Sequence, residues 1–183
     1  MKKILFLLIL FQILNVQSVA AKDLWLKAKE GDKIILIRHA LAPGSGDPPG
    51  FKIDDCKTQR NLNKTGIEQS KIIGKLFKEN KIPVDKVLSS QWCRCKDTAK
   101  YAFKNYFEFP ALNSTFQSAF AKNETKQLKQ LKTFVNDWDG NGGNLVLITH
   151  YSIITAITNI APRSGEIVIT DKNFSVLNTV LTN

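Results

Sequence analysis

The chain has 183 residues, 43% hydrophobic and 23% charged, a length and apolar share that suit one domain with a full core. No internal repeat or low-complexity linker is present, which excludes a repeat array or a string of modules. The 26 lysines and arginines against 16 acidic side chains give a formal charge of +10, but this excess does not select a nucleic-acid partner. Lysines such as Lys71, Lys75, Lys78, Lys126, Lys129 and Lys132 are spread along predicted helix faces, the pattern of a solvated surface that also steers phosphate-bearing ligands.

Residues 1–21 read as a separate object. Lys2 and Lys3 precede the apolar stretch Ile4 to Leu14, and small residues follow at Ser18, Ala20 and Ala21. The apolar run is shorter than the ~20 residues a helix needs to span a bilayer. A signal peptide cleaved after Ala20 or Ala21 is therefore expected, with a domain over 22–183 in the periplasm or outside the cell. No second membrane segment follows. Loss of Lys2 and Lys3, with no acid in the same stretch, lowers the formal charge to +8.

The next elements follow in chain order. Residues 33–38 are β-branched and leucine-rich without alternation, as expected for a strand buried on both faces in the middle of a parallel sheet. Gly44, Gly46, Pro48, Pro49 and Gly50 make a long irregular loop of the kind that is commonly functional. Thr65 to Asn80 is predicted helical, with Ile67, Ile72, Ile73, Leu76 and Phe77 on one stripe. A strand over Asp85 to Leu88 and a short helix after Ser90 come next. Glu124 to Trp138 is a second amphipathic helix, carrying Leu128, Leu131, Phe134 and Val135. Residues 144–149 form a second fully buried strand, followed by a short helix after His150. Strands over Glu166 to Thr170 and Phe174 to Leu181 close the chain. The alternation specifies an α/β fold, a three-layer α/β/α sandwich with a mostly parallel central sheet. Trp25, Trp92 and Trp138 are expected in core or rim packing.

Three cysteines, Cys56, Cys93 and Cys95, in a chain expected to leave the cytoplasm imply one disulfide and one buried thiol. Neighbours at i and i+2 rarely bridge, so Cys56 should pair with Cys93 or Cys95. The C-x-C spacing suits zinc poorly.

The chemistry concentrates on the only two histidines. His39 closes the run Ile34 to Arg38, and His150 closes Leu145 to Thr149, so each stands just past a strand end, as does Ser89-Ser90. In open α/β sheets ligands gather beyond the carboxyl ends of the strands, so these residues should line one crevice. Arg38 adjoins His39, and Arg94 lies four residues after Ser90, near a helix start. Guanidinium forks match phosphate oxygens in two-point contact. A neutral imidazole can attack phosphorus in line, while fixed positive charge stabilises the equatorial oxygens and also keeps the ring unprotonated.

At these residues the sequence resembles the histidine phosphatase superfamily, also called phosphoglycerate mutase-like, over nearly all of residues 22–183. Arg38-His39-Ala40 stands where the family has Arg-His-Gly, and Asn61 to Ser70 is similar to its helix-opening pattern. Val87 to Ala99 resembles its Ser-Ser-x-x-x-Arg-x-x-x-Thr-Ala block, and Val146 to His150 its second histidine strand. The resemblance implies a phosphoglycerate mutase-like fold and His39 as the phospho-accepting nucleophile. Arg38, Arg94 and His150 would then form the phosphate pocket, with no metal or organic cofactor. Members with segments like Asp55 to Leu62 and Gln91 to Cys95 tend to be small and exported, and in them Arg60 would be an extra anion contact or a surface arginine. The implied activity is hydrolysis of phosphomonoesters through phosphohistidine, on a phosphorylated small molecule or an envelope sugar phosphate. The alternatives are a phosphohistidine or phosphoramidate phosphatase, and a non-catalytic phosphate-binding envelope protein.

Two departures from the family stand out. Ala40 replaces a glycine, a mild change where the backbone avoids positive φ. Leu112 to Gln117, where the family often places an acid to protonate the leaving group, has none. Asp47, Asp54, Asp55, Glu124 and Glu166 are other carboxylates to consider, each expected to cap a helix or stand in solvent, as are Asp85 and Asp97. A missing acid would favour good leaving groups, or phosphoramidates whose nitrogen is easily protonated.

Overall fold

The computed structural model describes residues 24–182; the expected signal peptide lies outside them. After a short helix α1 (Leu26–Lys29) come β1 (Ile34–Arg38), α2 (Lys64–Glu79), β2 (Val84–Ser89), α3 (Cys93–Phe103) and β3 (Phe107–Glu108). They are followed by α4 (Ser118–Ala121), α5 (Glu124–Asp137), β4 (Asn144–Thr149), α6 (Tyr151–Thr158), β5 (Ile167–Thr170) and β6 (Val176–Val180). Short 3₁₀ turns at Cys56–Thr58 and Pro110–Leu112 complete the described elements. The turns, β3, α1 and α4 were not expected, because two to four residues are too few to carry a periodicity.

One six-stranded sheet has the order β3-β2-β4-β1-β5-β6. Strands β3, β2, β4 and β1 run parallel, β5 pairs antiparallel with β1 and β6 antiparallel with β5, so only β5 runs against the rest and the sheet is mostly parallel as expected. β4 lies between two parallel neighbours and all six of its residues are buried. β1 was expected between parallel strands too, but β5 pairs with it in the opposite sense. An unalternating apolar run reports covered faces and says nothing about the direction of the neighbour.

The two faces divide the core. Ile35, Ile37, Val146, Ile148, Ile167 and Ile169 point one way, to Ile73 and Phe77 of α2 and Ala99 of α3. Ile34, Leu36, Leu145, Leu147 and Val168 point the other way, to Leu131 and Val135 of α5 and Ile153 and Ile154 of α6. Together these make the three layers.

Helix α2 departs from its predicted stripe. Its buried line is Gly66, Ser70, Ile73 and Phe77, and Ile72 is 40% exposed. The helix lies so close to the chain after β1 that a Cβ on Gly66 would overlap the Leu41 carbonyl oxygen. Contact lines made by glycine and serine are invisible to a hydrophobic pattern. β6 starts later than expected, at Val176, because Phe174 sits at φ 63° in a turn held by Asp171.

The cysteine pairing resolves to Cys56–Cys93, with Cys95 free and buried. This disulfide fits an oxidising compartment. Among the described residues no helix is long and apolar enough to cross a membrane.

Candidate active site

Parallel pairing in register brings the two histidines together. Arg38 of β1 is level with Thr149 of β4, so His39 and His150 each follow a paired residue, and His39 N donates to Thr149 O at 2.9 Å. Ser89 of β2 is level with Ile148, and Ser90 N donates to Ile148 O. Three adjacent strands thus end at one level. The two imidazole rings meet edge to face with centroids 5.4 Å apart.

His39 is 2% exposed, and its Nδ1 lies 2.8 Å from Ala40 O. A carbonyl only accepts, so Nδ1 carries the proton and Nε2 keeps its lone pair. That nitrogen receives Arg94 Nε at 3.2 Å. Burial first, and the Arg94 charge second, hold His39 well below the usual imidazole value, so the ring is neutral. Ala40 lies outside the left-handed region and donates its N–H to Thr98 Oγ1, so an alanine fits there.

His150 is equally buried, and its Nε2 lies 2.9 Å from Ser90 Oγ. Ser90 passes its own proton to Asn113 Oδ1 at 3.0 Å, so the His150 Nε2–H is the donor to Ser90. Nδ1 then faces Arg94 Nη2 at 3.5 Å. Burial, the Arg94 charge and His39 hold His150 well below the ordinary value. Cys95 Sγ, 3.4 Å from His150 Nε2, completes this side, and burial pushes its thiol up to about 12.

A cavity of about 280 Å³ opens over these rings, lined among others by Arg38, His39, Asp47, Arg60, Arg94, His150, Phe116 and Tyr151. Arg38 donates Nη1 to Pro162 O at 2.9 Å and lies over the Tyr151 ring. Its Nε is buried and has no partner among the described residues. Arg60 lines the cavity, but Nε donates to Gly46 O at 2.7 Å and Nη1 donates to Ala42 O, so these donors stitch the loop after β1.

The expectation for Asp47 fails. Its side chain is 2% exposed and forms a two-point ion pair with Arg94, with Nη1 on Oδ1 at 2.7 Å and Nη2 on Oδ2 at 3.1 Å. Trp92 Nε1 and Arg60 N donate to the same carboxylate. Burial alone would raise its pKa, but Arg94, with help from Trp92 and Arg60, holds the carboxyl below its ordinary value. Buried guanidiniums beside neutral histidines need a counter-charge. That requirement, together with an acid set between Gly46 and Pro48, was the signal available in the sequence.

None of the other acids lines the cavity, but Glu166 is buried and Asp85 accepts from Trp138 Nε1, so neither caps a helix or stands free in solvent as expected. Asp54 is exposed, and Asp55 caps the turn at Cys56 by accepting from Lys57 N. Glu124, in the first turn of α5, accepts from Thr115 Oγ1. Glu166 accepts from Arg163 N. All three tryptophans are buried, and Trp92 is stacked on Phe51 and meets the His150 ring in a T-shaped contact. Among the described residues no group of three or more His, Cys, Asp or Glu side chains is placed to hold a metal ion.

No family model matches the sequence, and no curated protein matches it. Solved structures do resemble the fold. The protein histidine phosphatase SixA, complexed with tungstate, superposes with a TM-score of 0.57 at 14% identity, covering 82% of this chain and 97% of its own. The SixA of Agrobacterium tumefaciens gives 0.57 at 16%, covering 82% and 98%. Phosphoglycerate mutase from Thermus thermophilus gives 0.56 at 16%, covering 81% and 98%. The chain has the phosphoglycerate mutase-like fold.

Proposed function

We propose that this chain is an exported phosphatase that hydrolyses phosphomonoesters through a phosphohistidine on His39. One observation carries the reading: a neutral, buried His39 with an unprotonated Nε2 lines the same cavity as Arg38, whose buried Nε–H has no partner among the described residues. An in-line nucleophile and a free anion donor are what phosphoryl transfer to histidine requires.

In the first step the Nε2 lone pair forms the N–P bond while the P–O bond to the leaving group breaks. The departing oxygen keeps that electron pair and takes a proton from water. The Nδ1–H stays on Ala40 O and delocalises the positive charge of the phosphorylated ring. In the second step water attacks phosphorus and the N–P bond breaks, returning the pair to Nε2. Of that water's two protons, one stays on the phosphate product and the other neutralises the hydroxide left by the first step. Arg38 and Arg94 place positive charge beside the equatorial oxygens in both steps.

A second reading is favoured by a specific observation. The one carboxylate lining the cavity among the described residues, Asp47, is ionised in its pair with Arg94 and is a poor acid for an alkoxide. A phosphohistidine or phosphoramidate substrate avoids that need, and SixA is named as a protein histidine phosphatase. For a phosphomonoester the basic charge and the expected export suggest a phosphorylated small molecule or envelope sugar phosphate. The signal pattern of residues 1–21 and the Cys56–Cys93 disulfide support that address.

The test compares an aryl phosphate, an alkyl phosphate and a phosphoramidate, on the wild type and on His39→Ala. Turnover and covalent capture of the phosphoryl group should both vanish in the variant, and turnover that persists removes His39 as nucleophile. A faster phosphoramidate than alkyl phosphate supports the second reading. Phosphate binding without hydrolysis of any substrate would favour a binding protein.

A further inference from the structure

All five N–H groups of Arg94 are engaged within the protein. Nε donates to His39 Nε2, Nη1 to Asp47 Oδ1 and to Arg60 O at 3.3 Å, and Nη2 to Asp47 Oδ2 and His150 Nδ1. The two edges of the guanidinium are held unequally. A short ion pair takes the outer edge, whereas the inner edge meets two neutral imidazole nitrogens at 3.2 and 3.5 Å. Hydrogen bonds between charged groups are the stronger, so an arriving phosphoryl group can take over the inner edge and not the outer one.

We propose that Asp47 is a positioning residue for phosphoryl transfer: by clamping the outer edge of Arg94, it aims the Nε/Nη2 edge at the phosphoryl oxygens over His39 and His150. This rests on the phosphatase reading above. Asp47 is itself rigidly held. Its backbone N donates to Gln117 Oε1 at 3.0 Å, Gln117 Nε2 donates back to Asp47 O, and Trp92, packed on Phe51 and Phe120, donates to Oδ2 at 2.9 Å. A carboxylate that accepts four N–H groups and carries no proton has none to give, so Asp47 acts through Arg94. It also sets the charge of the cavity. The guanidiniums of Arg38, Arg60 and Arg94 less this one carboxylate leave two positive charges with both histidines neutral, matching a phosphate dianion.

The experiment is a double-mutant cycle on the full chain with Asp47→Asn, Arg94→Gln and the double variant. It reads kcat and KM on an aryl phosphate and the affinity for inorganic phosphate by calorimetry. Asp47→Asn should lower kcat by roughly 10²-fold, the usual effect of a slightly misplaced group, with KM changing by no more than about 3-fold. The double variant should be no slower than Arg94→Gln alone, because a residue acting through another has nothing left to position. Losses that multiply would overturn the proposal. Asp47→Glu keeps the charge but lengthens the arm, so a wild-type kcat in that variant would also overturn it. If Asp47→Asn fails to fold, Asp47→Glu and the double variant, which leaves neither charge buried alone, carry the test. If the wild type hydrolyses nothing, the phosphatase reading fails, and the cycle on phosphate affinity still decides whether Asp47 and Arg94 are coupled.

Discussion

His39 and His150 stand edge to face, 5.4 Å between ring centroids, and Arg94 reaches a nitrogen of each. Their proton positions are opposite. The Ala40 carbonyl puts the proton of His39 on Nδ1, whereas the Ser90–Asn113 relay puts that of His150 on Nε2. Each ring thus turns a bare nitrogen to the same guanidinium. The pair is two neutral bases around one fixed cation.

Arg38 should be intolerant of lysine. Arg38→Lys keeps the charge but loses the planar fork, whose Nη1 holds Pro162 O and whose Nε–H is unpartnered among the described residues. Loss of a charged hydrogen bond of about 2 kcal/mol corresponds to roughly 30-fold in kcat/KM. Steady-state kinetics on an aryl phosphate checks this, and an unchanged kcat/KM would exclude Arg38 from phosphate binding.

Acid should destabilise the fold earlier than carboxylate protonation alone would. Both histidines titrate well below the ordinary value when folded, through burial and then the Arg94 charge, and near 6.5 when unfolded. Below about 6.5 the unfolded chain binds protons that the folded chain refuses, so this contribution is complete above that pH. It is lost as pH falls toward the folded values, at up to about 1.4 kcal/mol per pH unit for each ring. Urea unfolding between about pH 7.5 and 5 reads the slope, and a flat profile would contradict neutral buried histidines. The same depression predicts that kcat/KM does not drop near 6.5 from protonation of His39.

The cysteines should separate cleanly by reactivity. The Cys56–Cys93 bridge spans 37 residues, and by chain entropy a loop of that size contributes about 4 kcal/mol, so Cys56→Ala/Cys93→Ala should lower Tm markedly. Cys95 is buried with its thiol raised to about 12, and should resist alkylation in the native state near pH 8 while reacting in denaturant. Mass mapping under non-reducing conditions reads both, and a bridge to Cys95 would contradict the pairing.

Much of the fold was legible because burial writes itself into residue type. The run Leu145 to Thr149 announced a covered strand, and the alternation of strands and helices announced three layers around it. Ile72 was misplaced because Gly66, which meets the chain after β1, and Ser70, buried on the same line of α2, carry no apolar signal. The antiparallel pairing of β5 with β1 was also unreadable, since both pairings cover an edge equally well. At the site, His39, His150, Arg38 and Arg94 stand where a short apolar run or a helix start places them. Asp47 was expected to cap a helix or stand in solvent because its partner lies 47 residues on, and a loop acid looks alike whether it meets solvent or a buried guanidinium.

By itself the sequence determined which groups are available: two histidines at strand ends, the arginines beside them, and the layered α/β fold that puts strand ends together. Local physics suffices there, because hydrophobic runs and helix starts depend on near neighbours. Only the tertiary structure decided the states of those groups: which nitrogen of each ring is bare, which cysteine Cys56 meets, and that Asp47 is buried on Arg94. Protonation and ion pairing depend on burial and on atoms brought from distant segments, and these exist only once the chain has closed on itself.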